Sequence, residues 1–166
     1  IVKLLNIFNQ NINFDLKVVI AGAQFGYTKN YLKKNYTKIL IKKNKLRIIE
    51  GWQDERTEAK LFYSADVIWI GYENYPFPSG VLYQSVVANK PSIISKNGFI
   101  YYLNKTYKIG YEVNINDPKE ILSTILLIKK KIKFNKFKDQ LNKFRSISKS
   151  ENWVKGFAKV LFGNIR

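Results

Sequence analysis

The chain has 166 residues and contains no cysteine, no histidine and no methionine. Without cysteine there is no disulfide and no thiolate metal site. Without histidine the commonest catalytic base and metal ligand are both missing, and no metal site is expected. The absence of methionine extends to position 1, where a translated chain is expected to begin with it, so the sequence reads as an excerpt or as incompletely recorded. No apolar run approaches the ~20 residues that span a bilayer, and no secretory leader pattern opens the chain. The run Ala21-Gly22-Ala23-Gln24-Phe25-Gly26 follows the first apolar stretch, but its glycines do not fit G-x-G-x-x-G, which excludes a nicotinamide site there.

Arginine is scarce. It occurs only at Arg47, Arg56, Arg145 and Arg166, and lysine supplies the other 25 of the 29 basic residues. The net charge is +17. A nucleic-acid reader favours arginine, whose planar fork binds phosphate and guanine through two bonds. Lysine-rich charge fits a solvated surface in a composition rich in Lys, Asn, Ile and Tyr, or a face lying on anionic lipid.

What is present is an alternation of short apolar runs with amphipathic stretches. Ile1–Phe8 has helical spacing. Leu16–Ala21 reads as a buried strand ending at Gly22, where a small residue makes either a plain turn or room for a ligand. Tyr27–Ile41 reads as one lysine- and tyrosine-rich helix with Tyr31, Leu32, Ile39 and Leu40 inward. Leu46–Ile49 is a strand followed by the turn Glu50-Gly51-Trp52, with Trp52 read first as a core residue. Asp54 caps the next helix, which carries Ala59, Phe62 and Ala65. Asp117-Pro118-Lys119-Glu120 is a strong helix start: a cap, a proline at the first position and a capping-box glutamate. Lys129–Lys138 is the densest basic run; Phe134, Phe137, Leu141 and Phe144 recur at helical spacing, so its Phe face either packs on the sheet, the preferred reading, or lies on a membrane. Ser150 caps a last helix with the stripe Trp153, Phe157, Val160 and Leu161. This alternation predicts a single α/β domain, a three-layer sandwich around a parallel Rossmann-like sheet.

The organising stretch is Asp66–Ser95. Asp66–Gly71 reads as a strand buried on both faces, Tyr72–Pro78 as a loop broken by Pro76 and Pro78, and Ser79 as the N-cap of a helix. Asn89 suits the left-handed position after that helix, and Pro91 forbids its continuation. Ser92–Ser95 is the next strand. Such a βαβ unit takes a right-handed crossover, and ligands bind parallel sheets outside the carboxyl ends of the strands. There Gly80 leaves an approach open, and the amides of Gly80, Val81 and Leu82 are expected to lack acceptors at the positive end of the helix dipole. Phosphate is the natural guest. The plainer reading of Ser79-Gly80 is a cap and a packing turn.

The segments SADVIWIGY and SGVLYQSVVANKPSIIS, separated by a Pro-containing loop, resemble the donor-binding carboxyl-terminal half of GT-B glycosyltransferases of the retaining family-4 type. The resemblance runs from about Lys17 to Phe162. It implies half of a GT-B fold over residues 1–166, with 149–166 as the helix that crosses back toward an amino-terminal acceptor domain absent from this chain. It implies transfer of a sugar from a nucleoside-diphosphate sugar to a glycan or lipid-linked acceptor, with no cofactor and no metal. It places the donor diphosphate at Ser79, Gly80 and Val81, the ribose at Gln84, the base beside Gly51 and Trp52, and strand-end loops of the donor site at Gly22 and Gly98. The family's paired glutamates, eight positions apart, fall on Pro76 and Gln84; Glu73 is the carboxylate nearest the lost first one. The family's basic loop, with an Arg and a Lys for the diphosphate, is not visible ahead of Ile1. The expected partners are a nucleotide sugar, the acceptor domain and an anionic membrane surface. The expected location is cytoplasmic, or peripheral on the inner membrane face. Two alternatives remain: a catalytically degenerate GT-B-like binding domain, and a basic nucleic-acid-binding α/β domain.

Overall fold

A computed structural model describes residues 1–11, 13–130, 135–149 and 151. In chain order the elements are α1 (Val2–Gln10), β1 (Val18–Gly22), α2 (Gly26–Leu32), α3 (Asn35–Lys42), β2 (Leu46–Glu50), α4 (Glu55–Ser64) and β3 (Ile68–Ile70). There follow α5 (Gly80–Val87), β4 (Ser92–Ser95), α6 (Gly98–Tyr107), β5 (Gly110–Val113), α7 (Pro118–Lys130) and α8 (Asn135–Ile147). Every expected strand is present, so the α/β alternation stands. The helix expected after Ser150, with Trp153 and Phe157, lies outside the described residues, as does Phe134.

The chain forms two compact units, residues 1–61 with 113–130, and residues 62–112 with 131–166. The strands were expected in one sheet. Their described ladders form two: β1-β2, and β3-β4-β5. β1 and β2 are parallel, with Val18 opposite Leu46 and Gly22 opposite Glu50. β3 and β4 are parallel, with Ile68 opposite Ser92 and Ile70 opposite Ile94. Each set has its own apolar cluster. In the first unit Leu5, Ile20, Tyr31, Leu40 and Leu46 come together. In the second, Ile70, Leu82, Val86, Ile94 and Ile109 are joined by Phe137, Leu141 and Phe144 of α8.

The single helix expected over Tyr27–Ile41 is instead two, broken where Lys34 takes an extended backbone. Tyr31 and Leu40 are both buried. At ~100° per residue they would face opposite sides of one straight helix, and the break brings both into one core. Ile39, expected inward, is therefore turned out. α3 then ends as the composition suits: Asn44 is left-handed, its amide bonds the Ile41 carbonyl at 2.9 Å and the Lys45 amide bonds that of Leu40 at 2.8 Å, a Schellman closure.

The βαβ unit β3-α5-β4 follows the sequence reading closely. β4 is buried throughout, whereas β3 is buried only at Ile70 and half-buried at Ile68 and Trp69. α5 ends in the same Schellman closure, with Asn89 left-handed, its amide on Val86 at 3.1 Å and the Lys90 amide on Ser85 at 2.8 Å. In the core, Ser85 Oγ donates to the Leu82 carbonyl at 2.7 Å and lies 3.0 Å from Ser92 Oγ, so the two buried hydroxyls satisfy each other between helix and strand.

Two caps match expectation. The Thr57 amide donates to Asp54 Oδ1 at 2.8 Å at the start of α4. The amides of Lys119 and Glu120 donate to Asp117 Oδ1 at 2.9 and 3.3 Å at the start of α7. The Phe face of the basic helix α8 packs inward: Tyr83 stacks on Phe144 with ring centres 5.8 Å apart, and Tyr111 meets Phe137 edge-on at 4.9 Å.

Candidate functional site

In the second unit, β3 runs out into the loop 72–79 and the chain turns into α5. Ser79 is buried, with an extended backbone, and caps α5 by accepting from the Leu82 amide at 3.4 Å. The Ser79 carbonyl accepts from the Leu82 amide at 3.1 Å and from the Tyr83 amide at 3.3 Å. The amide of Leu82 is thus satisfied, contrary to expectation. The amides of Gly80 and Val81 find no acceptor among the described residues. Two donors, not three, are left for a guest.

Gly80 is exposed, and a Cβ added to it would meet nothing within 4 Å. The approach to these amides is open. Gln84 lies one turn further along α5, on the same side as Gly80, and is half-buried. In a helix the Cα–Cβ bonds tilt toward the amino end, so the base of the Gln84 side chain leans toward the turn that begins at Gly80.

The loop is shaped by its own aromatic residues. Tyr72 and Tyr75 meet edge-on with ring centres 5.0 Å apart, and Tyr75 and Phe77 at 5.8 Å. The Tyr72 hydroxyl lies 3.4 Å from Ser79 Oγ, closing the two ends of the loop on each other. Glu73 is exposed in this loop, beside Asn74, whose φ is 49°. Gly98, expected in a strand-end loop of the donor site, lies against the loop 72–79. Its φ is 73°, and a Cβ there would collide with the Tyr75 carbonyl oxygen. The glycine lets the start of α6 press against the loop backbone.

The far end of α5 is held by α8. Arg145 Nη2 donates to the Val86 carbonyl at 2.7 Å and to Asn89 Oδ1 at 3.4 Å. A cation on the last carbonyls complements the helix dipole. An open groove of about 540 Å³ is lined by Pro76, Pro78, Tyr83, Phe99 and Ser148. Tyr72 and this groove were not singled out in the sequence. The signal available was the alternation of aromatic residues with proline over Tyr75-Pro76-Phe77-Pro78.

In the first unit, Gly22 and Gly51 sit at the carboxyl ends of the paired strands β1 and β2, with φ of 115° and 90° and free space where a Cβ would stand. Each is braced in the same way. Gln24 Nε2 donates to the Gly22 carbonyl and Gln53 Nε2 to the Gly51 carbonyl, both at 2.9 Å. Trp52, read first as core, is 91% exposed. The left-handed Gly51 turns the chain away from the sheet at the strand end, so the indole projects outward. Phe25, at the corresponding strand end, is 75% exposed.

Ser79, Gly80, Val81, Gln84, Glu73 and Gly98 thus share one unit and Gly22, Gly51 and Trp52 the other. Among the described residues no cluster of carboxylates could hold a metal ion, and no helix is long and apolar enough to cross a membrane.

No family profile matches the chain, and no curated protein matches it in sequence. Solved structures do match in fold. The amino-terminal domain of Candida albicans trehalose-6-phosphate phosphatase superposes with a TM-score of 0.71 at 15% identity, over 99% of this chain and 39% of that one. HepE of Anabaena, solved in complex with UDP, superposes with a TM-score of 0.69 at 14% identity, over 96% of this chain and 44% of that one. The same protein in complex with UDP and glucose gives a TM-score of 0.66 at 16% identity, over 96% and 43%. This chain therefore spans about two fifths of the length of the structures it resembles. Likeness at this identity establishes the fold, a Rossmann-like GT-B half with parallel strands flanked by helices.

Proposed function

We propose that this chain is the donor-binding half of a GT-B glycosyltransferase, and that it holds the diphosphate of a nucleoside-diphosphate sugar at the start of α5. One observation carries the reading. At the carboxyl end of β3, inside a βαβ unit, Gly80 and Val81 present two unaccepted amides at the positive end of a capped helix, with open space in front. An anion at such a terminus gains ~0.3–1 kcal/mol from the dipole, and hydrogen bonds to a charged group add ~1.5–3 kcal/mol. The same contacts favour a departing diphosphate over a neutral group, which is how this end of the helix would assist transfer without a metal. The fold supports the reading, since HepE, which shares it, binds UDP.

In this reading Gln84 meets the ribose as a neutral replacement for glutamate. Glu73 lies in the loop that leads to Gly80 and faces the donor sugar. Gly98 acts by holding the loop, not by contacting the donor. The acceptor would be a glycan or a lipid-linked sugar held by a second domain, so these 166 residues alone bind donor and transfer nothing. Pro76 and Gln84 in place of both glutamates favour a second reading, a GT-B-like domain that binds a nucleotide sugar without turnover.

The test is an amide chemical-shift titration with uridine and guanosine diphosphate. Shifts centred on Gly80 and Val81, with affinity of about millimolar (~4 kcal/mol), support the proposal. Shifts confined to Lys136 and Lys138 would show the diphosphate to be a mere counterion of a basic surface and refute it. Joined to the acceptor half, release of diphosphate and glycoside distinguishes transfer from binding alone.

A further inference from the structure

The twelve acidic residues are unevenly placed: none lies between Asp15 and Glu50, a span that holds nine lysines and arginines. The structure gathers part of that charge on one helix. Lys34, Lys38 and Lys42 follow one another at intervals of four, the N-cap, the middle and the last turn of α3, and all are exposed. Thr37 and Leu40 are buried on the opposite side. On the helical wheel the lysine ridge is centred outward, with Ile41 on one flank and Ile39 on the other. These two isoleucines are 44% and 47% exposed.

We propose that this outward face of α3 docks on an anionic lipid bilayer, the lysines on the headgroups and the two isoleucines in the boundary below them. Charge complementarity names the surface: a ridge of one sign, in a stretch without a single carboxylate, meets a negative leaflet. The isoleucines decide between lipid and nucleic acid. Single exposed apolar residues are ordinary, but a pair flanking a lysine ridge gives an amphipathic face that gains by burial in a bilayer and gains nothing on a phosphate backbone. The chemistry of the cations agrees. The face carries no arginine, the residue that reads nucleic acid through two-bond contacts. The face differs from the basic run Lys129–Lys138, whose Phe137 is turned into the core, and it is independent of the donor site.

The experiment is co-sedimentation of the full chain with phosphatidylcholine vesicles, with and without phosphatidylglycerol. Binding should require phosphatidylglycerol and fall with added salt. Lys34→Gln/Lys38→Gln/Lys42→Gln should weaken it by about 100-fold, at about fivefold per lysine. The charge-matched control Lys130→Gln/Lys136→Gln/Lys138→Gln should cost less than about tenfold. Ile39→Ser/Ile41→Ser should abolish the fraction that resists salt. Hydrogen exchange of the unaltered chain on vesicles, which depends on no variant, should show protection centred on residues 34–43. Equal loss in the two lysine triples, equal binding to neutral vesicles, or protection centred elsewhere would overturn the proposal. So would an RNA oligonucleotide that strips the chain from vesicles and protects the same residues, since that assigns the face to nucleic acid.

Discussion

Gly80 and Gly98 head consecutive helices of the same unit, each just after a strand and its loop. They look equivalent in the sequence and are opposites in space. Gly80 has an ordinary backbone and nothing in front of it; Gly98 has a φ of 73° and the Tyr75 carbonyl against it. The first glycine leaves room for something that is not the chain, and the second lets the chain approach itself. A ligand-approach glycine should tolerate a side chain in stability and fail in binding. A self-approach glycine should do the reverse.

The largest expected effect is therefore at Gly98. Gly98→Ala combines left-handed strain with a collision against backbone, and should cost about 2–5 kcal/mol in urea unfolding. A cost under ~1 kcal/mol would mean that the contact with Tyr75 yields easily. Next is Arg145→Ala, which removes the guanidinium from the Val86 carbonyl at the other end of α5. The expected loss is ~1–3 kcal/mol, with weaker diphosphate response. Gly80→Val should change stability by less than ~0.5 kcal/mol, since valine is no worse a helix former than glycine, yet remove the diphosphate shifts. If those shifts persist, the open glycine is only a turn and the contrast with Gly98 has no functional content.

The smallest effect lies outside both glycines, at the start of α4, and calibrates what a cap contributes when no guest is involved. Bonds from the Thr57 amide and hydroxyl hold the Asp54 carboxyl below its ordinary value of 3.8. A depressed carboxyl stabilises the fold above its unfolded value and loses that contribution as pH falls through the folded one. Asp54→Asn keeps a cap but cannot titrate, so the acid limb of its thermal unfolding should be flatter than that of the parent. A parallel limb would show that the bond to Thr57 is absent in solution.

The fold was legible because its signals are local. Ser79, Asn89 and Pro91 bracket one helix, Asp117, Pro118 and Glu120 start another, and β-branched runs mark the strands. What stayed hidden depends on partners distant in sequence. Nothing near Trp52 says that the left-handed Gly51 will turn it outward. Nothing in Lys33-Lys34 announces a break; it follows from the need to bury both Tyr31 and Leu40. The open donors at α5 were half legible: spacing supplies the cap, but only the backbone shows that the Ser79 carbonyl takes the Leu82 amide and leaves two. Gln84 stands one turn beyond Gly80 on α5, and Glu73 stands in the loop that leads to it.

The grip of Arg145 on α5 has a consequence for where this molecule can be cut. The βαβ unit that holds Gly80 is complete by Ser95, and no residue of α8 contributes to the open amides. Yet α8 supplies Phe137, Leu141 and Phe144 to the core beneath α5 and Arg145 to its last carbonyls. A chain ended before Asn135 would keep every atom of the proposed diphosphate site and lose what fixes the helix in register. In the proposed reading the smallest piece able to recognise an anion is thus set not by the segment that would touch it but by one about 60 residues downstream, held to it through a single guanidinium and three buried rings and branches.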